Sequence, residues 1–410
     1  MSALAIDQRR LLAALAELGA IGGLPGGGVC RLALTDADRQ GRDWVVARMR
    51  ALGMSVTVDA IGNVVGMYPG REDRPPVMTG SHIDTVRTGG LYDGNYGVLA
   101  GLEVIATLRD AKLCTRRPIA VAFFTNEEGA RFAPDMMGSL VFQGGLPLEE
   151  ALATCGIDGA VVGEELCRIG YAGDAPVGCN QVDSFVELHI EQGPVLDREG
   201  IRIGVVEGVQ GISWTEFTMH GVSNHAGTTP MHMRNDAGYV AARVTTFARE
   251  LTQRYGGNQI ATVGAITLTP NLVNVIPNQA LFTVDLRNTD GAALRSAEAE
   301  LWSHAERVAA EEGVRCERRM LARFDPVQFD PRLVDHVEAA ARAQELSCRR
   351  MPSGAGHDAQ MLARMCPTGM IFVPSVNGLS HNVREYTEPA DLAAGANVLL
   401  QVLMELADRP

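Results

Sequence analysis

Histidine and carboxylate side chains lie close together after the first strongly apolar stretch of the sequence. His82 and Asp84 follow the apolar residues 76–78, and Asp93 comes nine residues after Asp84 in a glycine-rich segment. An apolar run that breaks at glycine and continues as His-x-Asp is typical of a buried strand that ends in polar groups. In α/β proteins such strand ends carry the ligand-binding residues. Two carboxylates and an imidazole within a dozen residues therefore indicate a metal site.

Three later segments supply side chains of the same kinds. Glu127 and Glu128 follow the apolar run 119–125, His189 lies in an alternating segment, and His381 follows a short polar turn. Five potential ligands are too many for one tetrahedral zinc that keeps a water, but they suit two ions that share a carboxylate. We expect Asp93 to be the bridge. One ion would then be held by His82 and His189, and the other by Glu128 and His381.

The same pattern predicts a base and an orienting group. Two divalent ions about 3.5 Å apart activate a water molecule at neutral pH, and that water needs a proton acceptor. Of the neighbouring pair Glu127 and Glu128, one carboxylate can bind metal while Glu127 serves as the base. Asp84, two residues from His82, can orient that imidazole. Zinc, manganese, cobalt and nickel all accept such ligands, so the metal is left open.

Each of these features has a structural alternative. A lone His-x-Asp pair, or a histidine in a strand such as His189, is more often part of a hydrogen-bonded core. A glutamate pair is usually solvated, but the run before Glu127 is apolar enough to be buried, which argues against that interpretation.

Alternating strands and helices are predicted to position these residues. The predicted helices cover 4–18, 36–52, 95–112, 331–344 and the segment from 389 onward, and the predicted strands cover 54–59, 63–68, 76–80, 119–125, 185–193 and 369–373. This alternation predicts an α/β domain with an open mixed sheet and helices on both faces.

A different order of predicted elements interrupts this alternation. Predicted elements follow the order strand 212–220, helix 236–255, strands 259–268 and 279–287, helix 292–312 and strand 314–321. This β-α-β-β-α-β order predicts a ferredoxin-like α+β domain over 212–326. The first domain is then split into 1–211 and 327–410.

Composition limits the possible partners and compartments. The 410 residues, 46% hydrophobic, are enough for two domains, and the net charge of −13 argues against nucleic acid or an anionic membrane as partner. No apolar run of membrane-spanning length and no signal-peptide pattern is evident, so a cytoplasmic location is expected. The eight cysteines are widely spaced without a C-x-x-C pair, and buried free thiols are predicted.

Together these motifs carry a resemblance to a known family. The matching residues are His82-x-Asp84, Asp93, Asn126-Glu127-Glu128-Gly129, His189-x-Glu191-Gln192-Gly193-Pro194 and Leu379-Ser380-His381-Asn382. The chain resembles the amidase, hydantoinase/carbamoylase family of di-metal hydrolases, which is related to aminoacylases and carboxypeptidase G. The likeness extends from about residue 30 to about residue 400.

The resemblance implies the same five ligands, with Asp93 as the bridge and Glu127 as the base. It also implies that the inserted domain is a lid that forms a homodimer, and that His225 reaches the partner's site to stabilise the oxyanion. Four further residues are implied as contacts of a small carboxylate-bearing substrate: Gln192, Asn274, Arg287 and Gly356. Taken alone, His225 would be a turn residue and Arg287 a surface arginine at a strand end.

Within the family, the segment 126–139 is most similar to N-carbamoyl-L-amino-acid hydrolases and β-ureidopropionases. Allantoate amidohydrolases usually carry a third acid where Asn126 stands. The expected reaction releases the free amino acid, carbon dioxide and ammonia. β-Ureidopropionase and allantoate amidohydrolase are the alternatives, followed by aminoacylase or peptidase. A binding protein that has lost turnover would be expected to lack a ligand or the base, and all six are present.

Overall fold

The computed structural model describes residues 4–178 and 181–409, which form two compact units. The split unit contains the described residues up to Gly208 and those from Gln328 onward, and the inserted unit contains Val209–Val327. Each unit has its own sheet.

The strands are β1 (Ser55–Val58), β2 (Val64–Tyr68), β3 (Val77–His82), β4 (Ile119–Phe124), β5 (Ser184–Ile190), β6 (Ile203–Val209), β7 (Gly211–His220), β8 (Ile260–Thr269), β9 (Gln279–Asn288), β10 (Arg315–Phe324), β11 (Val327–Gln328), β12 (Cys348–Ser353) and β13 (Thr368–Val373). The helices are α1 (Gln8–Ala20), α2 (Asp36–Ala51), α3 (Asn95–Asp110), α4 (Met137–Phe142), α5 (Leu148–Leu152), α6 (Val162–Ile169), α7 (Val195–Glu199), α8 (Ala237–Tyr255), α9 (Gly291–Glu311), α10 (Pro331–Ala343), α11 (Asp358–Leu362) and α12 (Pro389–Ala407).

The sheet of the split unit is mixed, as predicted. Its strand order is β1-β2-β4-β3-β5-β13-β6-β11, and β12 also pairs with β6. β3 is parallel to β4 and β5, and β5 is parallel to β13. The pairs β1–β2, β2–β4 and β6–β13 are antiparallel.

The four central parallel strands are buried along their whole lengths, which explains their continuous apolar runs. Helices α3 and α12 pack against them, and both helices are largely buried. Because the strands are parallel, their carboxyl ends meet at one edge of the sheet. His82 is paired there with Phe124, three residues before Glu127.

Helix starts follow capping chemistry more closely than apolar periodicity. α2 begins where predicted, since the Thr35 side chain accepts the N–H of Asp38. α1 begins at Gln8 rather than at residue 4, because the Asp7 carboxylate accepts the N–H groups of Arg9 and Arg10. Strand β6 and the separate helices α4, α5 and α6 were not predicted as individual elements.

The inserted unit is ferredoxin-like, as predicted. Its antiparallel sheet has the order β10-β7-β9-β8, and α8 and α9 pack on it around an apolar core. Alternating residues of β9 are buried, as expected when one face of a sheet is covered by helices.

Two expectations from composition need correction. The described cysteines are free thiols, but only Cys366 is buried, whereas Cys114, Cys155 and Cys167 are exposed; Cys179 lies outside the described residues. One described helix, α12, is long and apolar enough to cross a membrane, with mean hydropathy 1.3. Of its apolar window 61% is buried inside the protein, so its composition fits a core helix.

Candidate metal centre

The carboxyl ends of the central strands bring the predicted ligands together. His82 ends β3, His189 is the penultimate residue of β5, and Glu127 and Glu128 follow β4. Asp93 lies in the loop before α3, and His381 lies in the loop between β13 and α12. All five predicted metal ligands and the predicted base therefore belong to the split unit.

The Asp93 carboxylate is at the centre of this cluster. Its Oδ1 atom is 3.5 Å from His82 Nε2 and 3.2 Å from His189 Nε2. Its Oδ2 atom is 3.4 Å from His381 Nε2, which in turn is 3.3 Å from Glu128 Oε2. Each carboxylate oxygen of Asp93 thus faces one of the two predicted ligand pairs.

Backbone groups fix the orientation of two of the rings. His82 Nδ1 lies 2.9 Å from the Asp84 carbonyl oxygen, and His189 Nδ1 lies 2.8 Å from that of Ile190. These contacts require an N–H at Nδ1, so in the neutral ring the lone pair is at Nε2. Donation from the Gly94 N–H to His189 Nε2, at 3.1 Å, agrees with this tautomer.

The role expected for Asp84 needs correction in its detail. Asp84 does orient His82, but through its backbone carbonyl rather than its side chain. The Asp84 carboxylate instead accepts the backbone N–H groups of Glu127 and Glu128, at 3.2 and 3.3 Å. It therefore holds the segment that carries the predicted base.

The donor set fits two cations. Three sets of potential ligand atoms converge among the described residues, and two of them share Asp93: His82, Asp93 and His189 form one, and Asp93, Glu128 and His381 form the other. Buried His82 Nε2 and Glu128 Oε1 have no hydrogen-bond partner among the described residues. Metal–ligand bonds of about 2.1 Å in a tetrahedron place ligand atoms about 3.4 Å apart, which matches the separations around Asp93.

Gly94 is necessary for this packing. It has a φ of +64°, and a Cβ atom there would lie 2.4 Å from Cε1 and Nε2 of the His82 ring. Only glycine allows the backbone before α3 to approach the imidazole this closely.

Burial and neighbouring charges shift the pKa values of the site. Although burial raises the pKa of Asp93, the neighbouring imidazoles of His189, His381 and His82 hold it well below its usual range. Burial raises the pKa of Glu127 well above that of an ordinary glutamate, and it raises the pKa of Asp84 to about 6. The site therefore concentrates acids in a largely buried region.

A small pocket of about 130 Å³ opens beside the cluster. Its lining residues are Asp93, Glu127, Glu128, Asp135, Gln192, Ala355, Gly356, His357 and His381. Gln192 Nε2 donates to Asp93 Oδ2 at 2.8 Å, so this predicted substrate contact touches the predicted bridge. Gly356, also predicted, borders the same pocket.

The other three predicted residues belong to the inserted unit. His225 forms an antiparallel bridge with Val275, and the Ala226 N–H donates to the Asn274 carbonyl, so His225 and Asn274 are neighbours. Arg287, near the far end of β9, donates to the Asp285 carboxylate at 2.9 Å.

Three buried acids around the centre were not among the predicted site residues. Glu187 accepts from the Ser81 hydroxyl at 2.6 Å and from the Ala359 N–H at 2.7 Å. Burial, together with the charge of Glu187, raises the pKa of Asp358 to about 8. Glu385 contacts the Asp93 loop, and burial raises its pKa to about 7. Glu187 could have been found from the sequence, because it shares a strand face with His189 at a spacing of two.

This geometry can be compared with known proteins. The sequence profile of Peptidase family M20/M25/M40 matches residues 78–405. The chain belongs to this family. A relative from Rhizobium meliloti, N-carbamoyl-L-amino-acid amidohydrolase, is 42% identical over 98% of this chain and 97% of its own length. A Geobacillus stearothermophilus protein of the same name is 38% identical over 98% of this chain and 99% of its own length.

Two further similarities bear on the substrate and the fold. Allantoate amidohydrolase of Escherichia coli is 36% identical over 95% of this chain and 96% of its own. The crystal structure of an amidase of the hydantoinase/carbamoylase family from Burkholderia multivorans has a TM-score of 0.97, 46% identity and 99% coverage of both chains.

Proposed function

We propose that this protein is a metal-dependent amidohydrolase that removes the carbamoyl group from N-carbamoyl-L-amino acids. The products are the free amino acid, carbon dioxide and ammonia. The observation that carries the proposal is the convergence of two ligand sets on the two oxygens of Asp93, with Glu127 beside them. The names of the Rhizobium and Geobacillus relatives support the substrate class.

The ligands would be distributed over two divalent cations. His82 and His189 would hold one, Glu128 and His381 the other, and Asp93 would bridge them. Cations bound there would polarise the substrate carbonyl and make a water molecule more acidic. Zinc, manganese, cobalt and nickel are compatible with these ligands.

Glu127 is suited to move the proton. Its Oε2 atom lies 3.3 Å from His82 Nε2, and the Asp84 carboxylate fixes its backbone. Burial raises the pKa of Glu127, which brings its basicity closer to that needed at neutral pH. Glu127 accepts a proton from the attacking water and returns it to the leaving nitrogen, so it is unchanged after each turnover.

His225 is suited to donate a hydrogen bond to the oxyanion. Its Nδ1 atom accepts the N–H groups of Gly227 and Thr228, at 3.0 and 3.2 Å. Because Nδ1 accepts these hydrogen bonds, the proton of the neutral ring is on Nε2. This N–H points away from the turn that contains Gly227 and Thr228. A positioned N–H donor of this kind stabilises negative charge on a carbonyl oxygen.

The inserted unit supports an action of His225 across subunits. His225 and Asn274 lie beyond the Gln279 end of β9, whereas Arg287 lies near its other end. Eight residues of extended strand separate these ends by about 27 Å. A substrate of amino-acid size cannot span that distance, so we propose that His225 and Asn274 come from one copy and Arg287 from the other.

The edges of the inserted sheet support a homodimer that forms through β8. β8 is an edge strand with ten uncharged residues, and Ile260 and Ile266 are exposed. The opposite edge, β10, carries Arg315, Arg318, Arg319 and Arg323. Charged edge strands resist further pairing, whereas an uncharged one is open to pairing with a second copy. A cytoplasmic location for this dimer is part of the proposal.

The substrate assignment is tested by ammonia release from a panel of compounds. The panel contains N-carbamoyl-L-amino acids, N-carbamoyl-β-alanine and allantoate, with N-formyl, N-acetyl and dipeptide analogues to detect aminoacylase or peptidase activity. Protein stripped of metal and reconstituted with zinc, manganese, cobalt or nickel should be fastest on an N-carbamoyl-L-amino acid. Absence of turnover on every ureido compound, with two cations bound, would refute the proposal.

The action of His225 across subunits is tested by mixing two inactive variants. Glu127→Ala and His225→Ala should each be inactive, but their mixed dimers contain one site with an intact Glu127 and an intact partner His225. Some activity should therefore return on mixing. No recovery, despite subunit exchange demonstrated with tagged chains, would place His225 in its own subunit's site or outside catalysis.

Allantoate is the second candidate substrate, favoured by the Escherichia coli relative. Asn126 argues against it. The Asn126 side-chain N–H₂ donates to the carbonyl oxygens of Phe132 and Pro134, at 2.8 and 3.2 Å. A carboxylate at this position could not donate to either carbonyl. A chain with a third acid there would need a different loop beside the pocket.

A further inference from the structure

Glu385 connects the two loops that carry Asp93 and His381. It lies four residues after His381 and is only 5% exposed. Its Oε1 atom accepts the backbone N–H groups of Tyr92 and Asp93, at 3.1 and 3.3 Å. Its Oε2 atom accepts the hydroxyl of Ser380 at 2.9 Å. The Asp93 loop encloses this carboxylate, because a Cβ atom on Gly90 would lie 2.0 Å from Glu385 Oε1.

The Ser380 hydroxyl lies between two carboxylates. It is 2.9 Å from Glu385 Oε2 and 3.2 Å from Asp93 Oδ2, and its single proton can be donated to only one of them. Asp93 Oδ2 already accepts a hydrogen bond from Gln192 Nε2 at 2.8 Å. A carboxylate oxygen has about two lone-pair sites, so a second hydrogen bond would leave none free on Oδ2 for a cation.

We propose that Glu385 is a positioning residue for the second cation site, formed by Asp93, Glu128 and His381. It holds the two loops together, and it draws the Ser380 proton away from Asp93 so that Oδ2 keeps a lone pair for the cation. The first cation site uses Oδ1, which the Ser380 hydroxyl does not contact. This inference depends on the two-cation centre of the proposed function, and it predicts an effect on only one of the two cations.

Glu385→Gln is designed to change the direction in which the Ser380 hydroxyl donates while keeping the two loops connected. The amide oxygen of glutamine can still accept the two backbone N–H groups, but its N–H₂ group then faces Ser380. The Ser380 oxygen must accept that hydrogen bond, and its proton turns toward Asp93 Oδ2. Adding Ser380→Ala removes this proton, so the double variant should recover binding that Glu385→Gln has lost.

The test is calorimetric titration of chelator-treated, full-length protein with zinc or manganese, with the fold checked by circular dichroism. Wild type should bind two equivalents. Glu385→Gln should bind one cation normally and the other about 10–100-fold more weakly, which is the usual effect of losing a group that orients a metal ligand. Ser380→Ala in that background should restore most of the affinity. Glu388→Gln, a charge loss at an exposed position of the same loop, should bind like wild type.

The outcomes separate this inference from the proposed function. If wild type binds two cations, but a folded Glu385→Gln variant binds both equally weakly or both normally, the role of Glu385 is overturned and the two-cation centre stands. Failure of Ser380→Ala to restore the second site would overturn the argument about the hydroxyl proton. A wild type that binds no cation would overturn the two-cation centre, and the role of Glu385 with it.

Discussion

Gly94→Ala should dismantle the metal centre without unfolding the protein. The added Cβ atom would lie 2.4 Å from Cε1 and Nε2 of His82, whereas ordinary van der Waals contact begins near 3.4 Å. The His82 ring must therefore retreat by about 1 Å. Metal sites tolerate displacements of about 0.2 Å, and a misplacement of 1 Å at a reacting centre reduces activity about 100-fold.

The backbone effect of the same substitution can be measured separately. An alanine in the left-handed region costs about 1–2 kcal/mol. Gly200, which follows α7, has a φ of +65° and no atom within 4 Å of a Cβ built on it. Gly200 is in the left-handed region with a ψ of +32°, whereas Gly94 has a ψ of −50°. Gly200→Ala therefore measures the cost of an alanine at positive φ without a clash, and Gly94→Ala adds the strain of its own ψ to the clash with His82.

The assay compares both variants for cation content after dialysis, for kcat/KM in ammonia release and for thermal midpoint. Both midpoints should fall by a few degrees at most. Only Gly94→Ala should lose a bound cation, and only its kcat/KM should fall, by about 100-fold. If Gly94→Ala keeps two cations and an activity within threefold of Gly200→Ala, the close approach of this backbone to His82 has no part in assembling the site.

Three further predictions concern the base, the cations and the thiols. Glu127→Gln should lower kcat by about 10²–10⁴-fold with unchanged cation content, measured by steady-state kinetics and elemental analysis; a larger loss of metal than of rate would make Glu127 a ligand. Chelation should lower the free energy of unfolding by about 2.7 kcal/mol relative to protein with free cation at 100 times Kd. Denaturant titration measures this loss, and readdition of metal should restore the stability. At pH 8 a thiol reagent should modify exposed Cys114, Cys155 and Cys167 but not Cys366, whose pKa burial raises to about 11, as peptide mapping would show.

The sequence was sufficient to predict residues that directly follow apolar strands. His82, Glu127 and His189 lie at or after runs that had to be buried, and parallel strands bring their ends to one edge of a sheet. The order of elements in the inserted unit was predictable for a similar reason, because each strand and helix has its own clear period.

Contacts that depend on loop paths could not be predicted. The two-residue spacing of His82 and Asp84 indicated that they interact, but not that the backbone carbonyl makes the contact while the carboxylate holds Glu127 and Glu128. Glu385 reaches Asp93 across a chain separation of 292 residues, and no periodicity connects two loops. The thiols were misjudged because cysteine composition alone does not specify whether a given position is covered.

The buried acids around the centre explain why it needs cations. Glu127, Glu187, Asp358 and Glu385 are buried around the predicted ligands, and burial raises the pKa of each of them. A buried carboxylate without a compensating positive charge is costly, and it tends to become neutral instead. Two divalent cations would supply positive charge where these acids converge. The same charge would favour ionised Glu127, which is the form that a proton acceptor requires, so the ligands and the surrounding acids form one electrostatic unit.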